Sequence, residues 1–280
     1  SGFTTTGATI FPEVQSLPYC INFWRTFTHW IGGMGVLVFM MAVVSLADGR
    51  NMYLMKAESP GPSVSKLVPK VQTTAKILYT IYLMLTVLQM ILLLIGRMSL
   101  FDTVCLTFGT AGTGGFGIKN DSIAGYSTYN QIVITVFMIL FGVNFNVYYL
   151  LLTKKVVQAA KSEEVRYYFG IIAVAIIAIA INTKGMYTSF GRAIQQAAFQ
   201  VGSIITTTGY ATTNFNVWPV LSKTILVMLM FVGACAGSTG GGIKVSRLMI
   251  LCKSARKELQ LYLHPNAVKK IKMDGKAIPH

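Results

Sequence analysis

Three short phrases of this 280-residue chain are built almost wholly from threonine and glycine: SGFTTTGATIF at 1–11, TAGTGGFGIKND at 110–121 and IITTTGYATTNF at 204–215. Their side chains offer no nucleophile–base pair and no metal-ligand set. What they offer is backbone. Glycine reaches the positive φ values that turn carbonyls to one side of a strand. Threonine adds a hydroxyl beneath them. A ring of such carbonyls replaces the hydration shell of a cation, as in potassium-channel filters. The phrases hold almost no anionic side chain, so the backbone itself is the ligand. Asp102 and Asp121 lie nearby and are read as solvated or helix-capping acids. A single TTTG means little. Two copies of TTTG and a GTGGFG, each ahead of an apolar run, mean much more.

Hydrophobic residues make up 53% of the chain and charged residues 12%, about half the charged share of a soluble domain. Apolar runs at 30–47, 77–95, 131–152, 167–181 and 224–236 approach the roughly 20 residues that cross a bilayer. We therefore expect five helical spans, interrupted in places by Asn144, Asn146 and a glycine cluster. The net charge is +15, and its placement is informative. Segments 48–76 and 154–166 and the tail from Lys244 are basic, whereas 1–18, 98–128 and 184–216 carry few charges. Basic segments mark the cytoplasmic side, and every basic segment then falls inside. The charge follows membrane sidedness, which excludes nucleic acid as a partner. Cys20, Cys105, Cys235 and Cys252 have no metal spacing and read as small buried residues. His29, His264 and His280 are scattered.

Alignment on the Thr/Gly phrases exposes a repeat: span, short amphipathic segment, phrase, returning span. One copy has its span at 77–95, its short segment at 99–110, its phrase at 111–117 and its return at 131–152. A second runs from 167 to about 247, with short segment 188–205, phrase 206–211 and return from 220. The opening TTTGATIFPE then belongs to a third copy entered midway. The short segments are too brief and polar to cross a bilayer. Non-helical backbone at membrane depth survives only where protein buries it or it lines water, so each unit reads as a re-entrant pore loop. Arg25, His29, Asn144, Asn146 and Gln196 would be costly facing lipid. They line the pore, pin the filter loops or tie repeats together.

SGFTTTGAT, FWRTFTHWIGGMGV, TAGTGGFG, TTTGYATT and GACAGSTGGGIKVSR, in that order, resemble the TrkH/KtrB family of potassium-uptake membrane subunits, whose superfamily includes the plant HKT transporters. ESPGP and HPNAV look typical of the TrkH branch. The resemblance covers essentially the whole chain. It implies an all-α polytopic membrane protein, with span–pore-helix–filter-loop–span units around a pseudo-fourfold pore. On that pattern 1–47 ends repeat one, 77–153 is repeat two and 167–247 is repeat three with a broken second span. Cytoplasmic linkers fall at 48–76, 154–166 and 248–280. The chain reads as a fragment lacking the start of repeat one and all of repeat four.

The filter residues it implies are Thr5, Thr6 and Gly7; Thr113, Gly114 and Gly115; and Thr207, Thr208 and Gly209. K⁺ would be held by backbone carbonyls at Thr6, Gly7, Gly114, Gly115, Thr208 and Gly209. Spacing alone leaves Gly112 or Gly114 open in place of Gly115; the match of Gly115-Phe116 to Gly209-Tyr210 favours Gly115. Serine at the first filter position accompanies sodium transport in some plant relatives, and Gly7 here favours potassium. GACAGSTGGGIK at 233–244 fails as a phosphate-binding loop, because Ile243 parts the glycines from Lys244 and no strand precedes it. It resembles the family's intramembrane gate loop, with Gly233, Ala236, Gly237, Ser238, Thr239, Gly240, Gly241 and Gly242 as its residues. Lys244 anchors at the interface or lends positive potential to the cytoplasmic mouth.

The resemblance further implies K⁺ as the transported ion and no organic cofactor on this chain. It implies homodimerisation, membrane lipid around the spans, a cytosolic TrkA-like nucleotide-binding regulator and a bacterial inner-membrane location. Two other classes were weighed. An intramembrane enzyme needs a nucleophile and base at depth, and Ser45, Ser203 and Ser238 have no suitably spaced histidine. A Na⁺- or H⁺-coupled potassium symporter on the same fold would use an acid within a span, and none of the nine acids falls in mid-span.

Overall fold

The structure is a computed structural model that describes residues 1–35, 71–263, 272–274 and 276–277. Its order is α1 (Tyr19–Gly33), α2 (Val71–Ile95), α3 (Leu100–Ala111), α4 (Thr128–Phe141), α5 (Phe145–Leu152), α6 (Val156–Ala160), α7 (Glu163–Thr183), α8 (Phe190–Ile205), α9 (Val220–Phe231) and α10 (Val245–Leu263). A two-residue antiparallel pairing of β1 (Lys272–Met273) with β2 (Lys276–Ala277) follows.

Helix starts are written in the sequence. Ser99, Ser127 and Ser189 sit at the N-caps of α3, α4 and α8, each accepting a hydrogen bond from the backbone N–H three residues on, which satisfies one of the orphan donors of the first turn. α3 has 12 residues, or about 18 Å of rise, far short of a roughly 30 Å hydrocarbon core. Ala75–Ile95 and Glu163–Met186 are long and apolar enough to cross. Their outward faces present Leu83, Val87, Leu88, Ile91, Val174, Ile177 and Ile181, apolar on the side where lipid replaces protein.

Three of the expected spans differ in detail. Where the first was expected at 30–47, helix α1 runs from Tyr19 to Gly33, and the rest of that run beyond Gly35 lies outside the described residues, as does linker 48–76 up to residue 70. Buried polar residues Asn22, Thr26, Thr28 and His29 had masked its early turns. The run 131–152 is no straight span: α4 and α5 meet at 92°. The run 224–236 is helical from Val220 to Phe231 only, and a non-helical stretch separates it from α10. Cys105 and Cys235 are buried, but Cys20 and Cys252 are exposed, so the burial expected for all four holds for two.

Two apolar clusters organise the helices. One gathers Leu106, Ile134, Phe137 and Phe141 from α3 and α4 with Tyr82 of α2. The other gathers Ile172 and Ile179 of α7, Val201 and Ile205 of α8 and Leu226 of α9. Phe199 and Tyr210 from the later repeat reach into the earlier cluster. The two units therefore form a continuous wall, and the Thr/Gly phrases sit where their short helices end.

Candidate ion-conduction site

Each phrase makes the same turn. After α3, Thr113 N–H donates to Thr110 O at 3.0 Å, and Gly114 and Gly115 N–H both point back at Gly109 O at 3.1 and 3.4 Å. After α8, Thr207 N–H donates to Ile204 O at 3.0 Å, and Thr208 and Gly209 N–H point at Ser203 O at 2.9 and 3.3 Å. At the start of the chain, Thr5 and Thr6 N–H donate to Gly2 O and Ser1 O at 2.9 and 3.0 Å. The N–H groups are thus spent on the preceding turn, and the carbonyls are left for something else. Backbone angles agree: φ is 52°, 50° and 58° at Thr5, Thr113 and Thr207, and 71°, 76° and 86° at Gly7, Gly115 and Gly209. The left-handed glycine of the second phrase is Gly115, while Gly112 keeps φ −75°. Left-handed threonine costs about 1–2 kcal/mol, and its recurrence at three equivalent positions marks a backbone set by its surroundings.

The strands lie side by side. A Cβ on Gly7 would fall 2.0 Å from Gly114 O, and one on Gly115 would fall 1.9 Å from Thr208 O. Each glycine therefore abuts a carbonyl of the next strand. A Cβ on Gly209, the third of the series, would meet nothing within 4 Å among the described residues. The C-terminal ends of α3 and α8 run directly into their strands, placing the negative ends of two helix dipoles at the same locus. Of the nine residues expected from the sequence, Gly7 is thus brought against Gly114 and Gly115 against Thr208.

Repeat two departs from TTTG because α1 presses on it. Thr4 and Thr6 pair their hydroxyls at 2.9 Å, as Thr206 and Thr208 do at 2.7 Å. The equivalent positions of repeat two are Gly112 and Gly114, where a Cβ would fall 2.2 Å from His29 O and 2.3 Å from His29 Nδ1. The fully buried His29 ring stacks on Phe116 at 4.0 Å, and its Nδ1 accepts the Phe116 N–H at 3.4 Å. Arg25, one turn earlier, sets its guanidinium 4.4 Å from the Phe116 ring centre. At the outer end, Ile123 N–H donates to Ala211 O at 3.0 Å and Ser122 Oγ accepts from Ala211 N–H at 3.1 Å. Asp102 accepts from the Tyr126 hydroxyl at 3.0 Å. Burial and that carboxylate push the Tyr126 phenol well above its ordinary pKa. Asp102 is therefore a brace for Tyr126.

Residues 233–242 fold beneath the strands and bind them. Thr113 Oγ1 donates to Thr239 O at 2.9 Å, and Thr207 Oγ1 accepts from Gly241 N–H at 2.8 Å. A Cβ on Gly240 would fall 3.2 Å from Thr206 O. The other side of the loop plugs the α4–α5 bend. Phe141 O accepts both N–H and Oγ1–H of Thr239, at 3.3 and 3.2 Å, and Gly142 O accepts from Cys235 N–H at 3.0 Å. Phe145 N–H donates to Gly237 O at 3.0 Å. A bend exposes carbonyls and N–H groups that must find partners, and this loop supplies them. The buried Lys244 ammonium folds back to donate to Gly240 O, so it is neither an interfacial anchor nor a free cation at the mouth. Sequence reasoning left the role of His29 open among lining the pore, pinning a loop and tying repeats together, and it marked an interruption at Asn144 without foreseeing the 92° bend. The signal for the bend was Gly142 followed by Asn144, a glycine ahead of a good N-cap.

The whole chain, residues 1–280, matches the model of TrkH, described as a cation transport protein. The chain belongs to the TrkH family. Among curated TrkH-family relatives, the TrkH potassium uptake protein of Escherichia coli K12 is 37% identical over 285 residues, covering all of this chain and 59% of that protein. The TrkG potassium uptake protein of the same organism is 32% identical, covering 99% of this chain and 58% of its own length. The crystal structure of the potassium transporter TrkH from Vibrio parahaemolyticus superposes with a TM-score of 0.85 at 33% identity, over 99% of this chain and 57% of that one. The chain thus spans somewhat under three-fifths of the TrkH proteins it matches, and its helical membrane fold is theirs.

Proposed function

We propose that the complete protein carries potassium into a bacterial cell across its inner membrane, through a filter lined by backbone carbonyls. Thr6, Gly7, Gly114, Gly115, Thr208 and Gly209 contribute the carbonyl oxygens, and a further strand beside Gly209 closes the ring. The observation that carries the reading is the step from Gly7 to Gly114 O and from Gly115 to Thr208 O, because strands spaced by glycine–carbonyl contact are what a ring of ion-binding oxygens requires. The naming of related TrkH and TrkG proteins as potassium uptake proteins supports the ion. Passage is channel-like, driven by the electrochemical gradient, with loop 233–242 as the gate beneath the filter. As in the sequence reading, a second copy of the chain and a cytosolic TrkA-like nucleotide-binding regulator complete the assembly.

⁸⁶Rb⁺ uptake into proteoliposomes holding the full-length protein tests this, with K⁺ and Na⁺ as competitors. Inhibition by K⁺ but not by Na⁺ is expected. Equal competition would leave a cation pore and remove the selectivity. Repeating the assay with Na⁺ and H⁺ gradients collapsed separates channel from symport: voltage-driven uptake that persists excludes obligatory coupling.

A further inference from the structure

Glu164 is the second residue of α7 and is 4% exposed. By sequence it belonged among the charges of linker 154–166, yet it lies inside the protein. One oxygen, Oε1, accepts from Ala236 N–H at 2.7 Å and from Ser246 N–H at 3.2 Å. Ala236 stands at the entrance of loop 233–242 and Ser246 in the first turn of α10, so one atom bridges the two ends of the break. The neck is closed beside it by backbone bonds from Gly233 N–H to Ile243 O at 2.7 Å and from Val245 N–H to Ala234 O at 3.2 Å. Among the described residues no lysine or arginine forms an ion pair with Glu164; the neighbouring Glu163 takes Lys253 of α10 instead. A buried carboxyl group is tolerable only while hydrogen bonds hold it.

We propose that Glu164 is the latch of the gate, a positioning residue that holds loop 233–242 under the filter; this rests on the gate reading above. For the loop to leave the pore, its neck must part from α7. Both hydrogen bonds then break together and leave buried polar groups unpaired, so the closed arrangement is favoured. α10 is the lever. It begins at the latch and carries exposed Arg247 and Arg256 outward, so a pull on α10 is transmitted to the Glu164 oxygen within its first turn.

The test uses the full-length protein in proteoliposomes, with ⁸⁶Rb⁺ uptake as readout. Glu164→Ala is expected to raise the maximal rate about fivefold or more, the shift that loss of two hydrogen bonds gives a two-state loop, with half-saturation unchanged. Glu164→Gln keeps an acceptor at the same place and is expected to stay within about twofold of the parent. A merely structural role would lower the rate in both. Should Glu164→Ala fail to fold, Glu164→Asp, one methylene too short to reach both donors, carries the same expectation. Deletion of 239–241 is run in parallel. A faster deletion variant beside an unaltered Glu164→Ala overturns the latch and leaves the gate. A deletion variant without effect overturns the gate, and the latch with it. Glu164→Gln as fast as Glu164→Ala also overturns the latch, since the effect would then not lie in the hydrogen bonds.

Discussion

At the scale of single residues, the turns of the proposed filter depend on what cannot be present. A Cβ on Gly115 would stand 1.9 Å from Thr208 O, closer than any side chain can come without moving the next strand. Gly115→Ala is expected to spread the ring and cut K⁺ over Na⁺ discrimination about tenfold or more, which corresponds to about 1.4 kcal/mol. Reversal potentials in mixed salts read the ratio. Gly209 is different, since a Cβ there would meet nothing within 4 Å among the described residues and only its φ of +86° resists a side chain. Gly209→Ser is expected to assemble normally and still weaken the K⁺ preference through the strained carbonyl. An unchanged ratio would take Gly209 out of the filter. His29→Ala removes the ring stacked on Phe116 and is expected to lower discrimination severalfold while the maximal rate persists. The glycines were legible in the sequence because their phrase repeats. The left-handed threonines before them were not, because threonine carries no signal for positive φ and tertiary contacts impose it. GTGGFG looked like a weaker copy of TTTG, and the reason lay in another element: His29 and its helix take up the room of the side chains that Gly112 and Gly114 lack.

At the scale of elements, short helices, long helices and the glycine break were readable from composition and from Ser N-caps. The start of α1 and the sharpness of the break after α4 were not. Hydropathy averages over all faces, so the polar residues that α1 turns toward the filter hid its first turns. The apolar run 131–152 continued across Gly142 and Asn144 without a drop large enough to announce a 92° turn. That turn matters because the loop is built into it. The sequence resemblance pictures 233–242 as a gate loop beneath the filter strands; a gate of that kind, once shortened, would raise flux and leave selectivity intact. The hydrogen bonds from Thr113 to Thr239 O and from Gly241 to Thr207 Oγ1 alter the second half of that expectation. Deleting 239–241 strips both threonines of their loop partners, each bond worth about 1 kcal/mol. The maximal rate is expected to rise and the K⁺/Na⁺ permeability ratio to fall severalfold in the same variant. A rise in rate at constant ratio would mean that the two threonines hold their geometry without the loop.

At the scale of the whole molecule, the order of the repeats was written in the chain but their adjacency was not. Spacing between phrases says nothing about which strand abuts which; the contacts of Gly7 with Gly114 O and of Gly115 with Thr208 O do. They advance in one direction around the locus, and the series stops at Gly209 with an open flank. Oxygens contributed from one side only leave part of a dehydrated ion exposed to water, so the geometry that favours K⁺ over a smaller ion is lost. Residues 1–280 account for 59% of the length of the E. coli TrkH protein. Reconstituted alone in planar bilayers, 1–280 is therefore expected to give no K⁺-selective current, whereas the full-length protein gives one under the same ionic gradient. A selective current from 1–280 would require the open flank to be closed by the chain itself or by a second copy. Repeating the measurement with Gly209→Ser would then decide whether Gly209 lies on the conducting path at all.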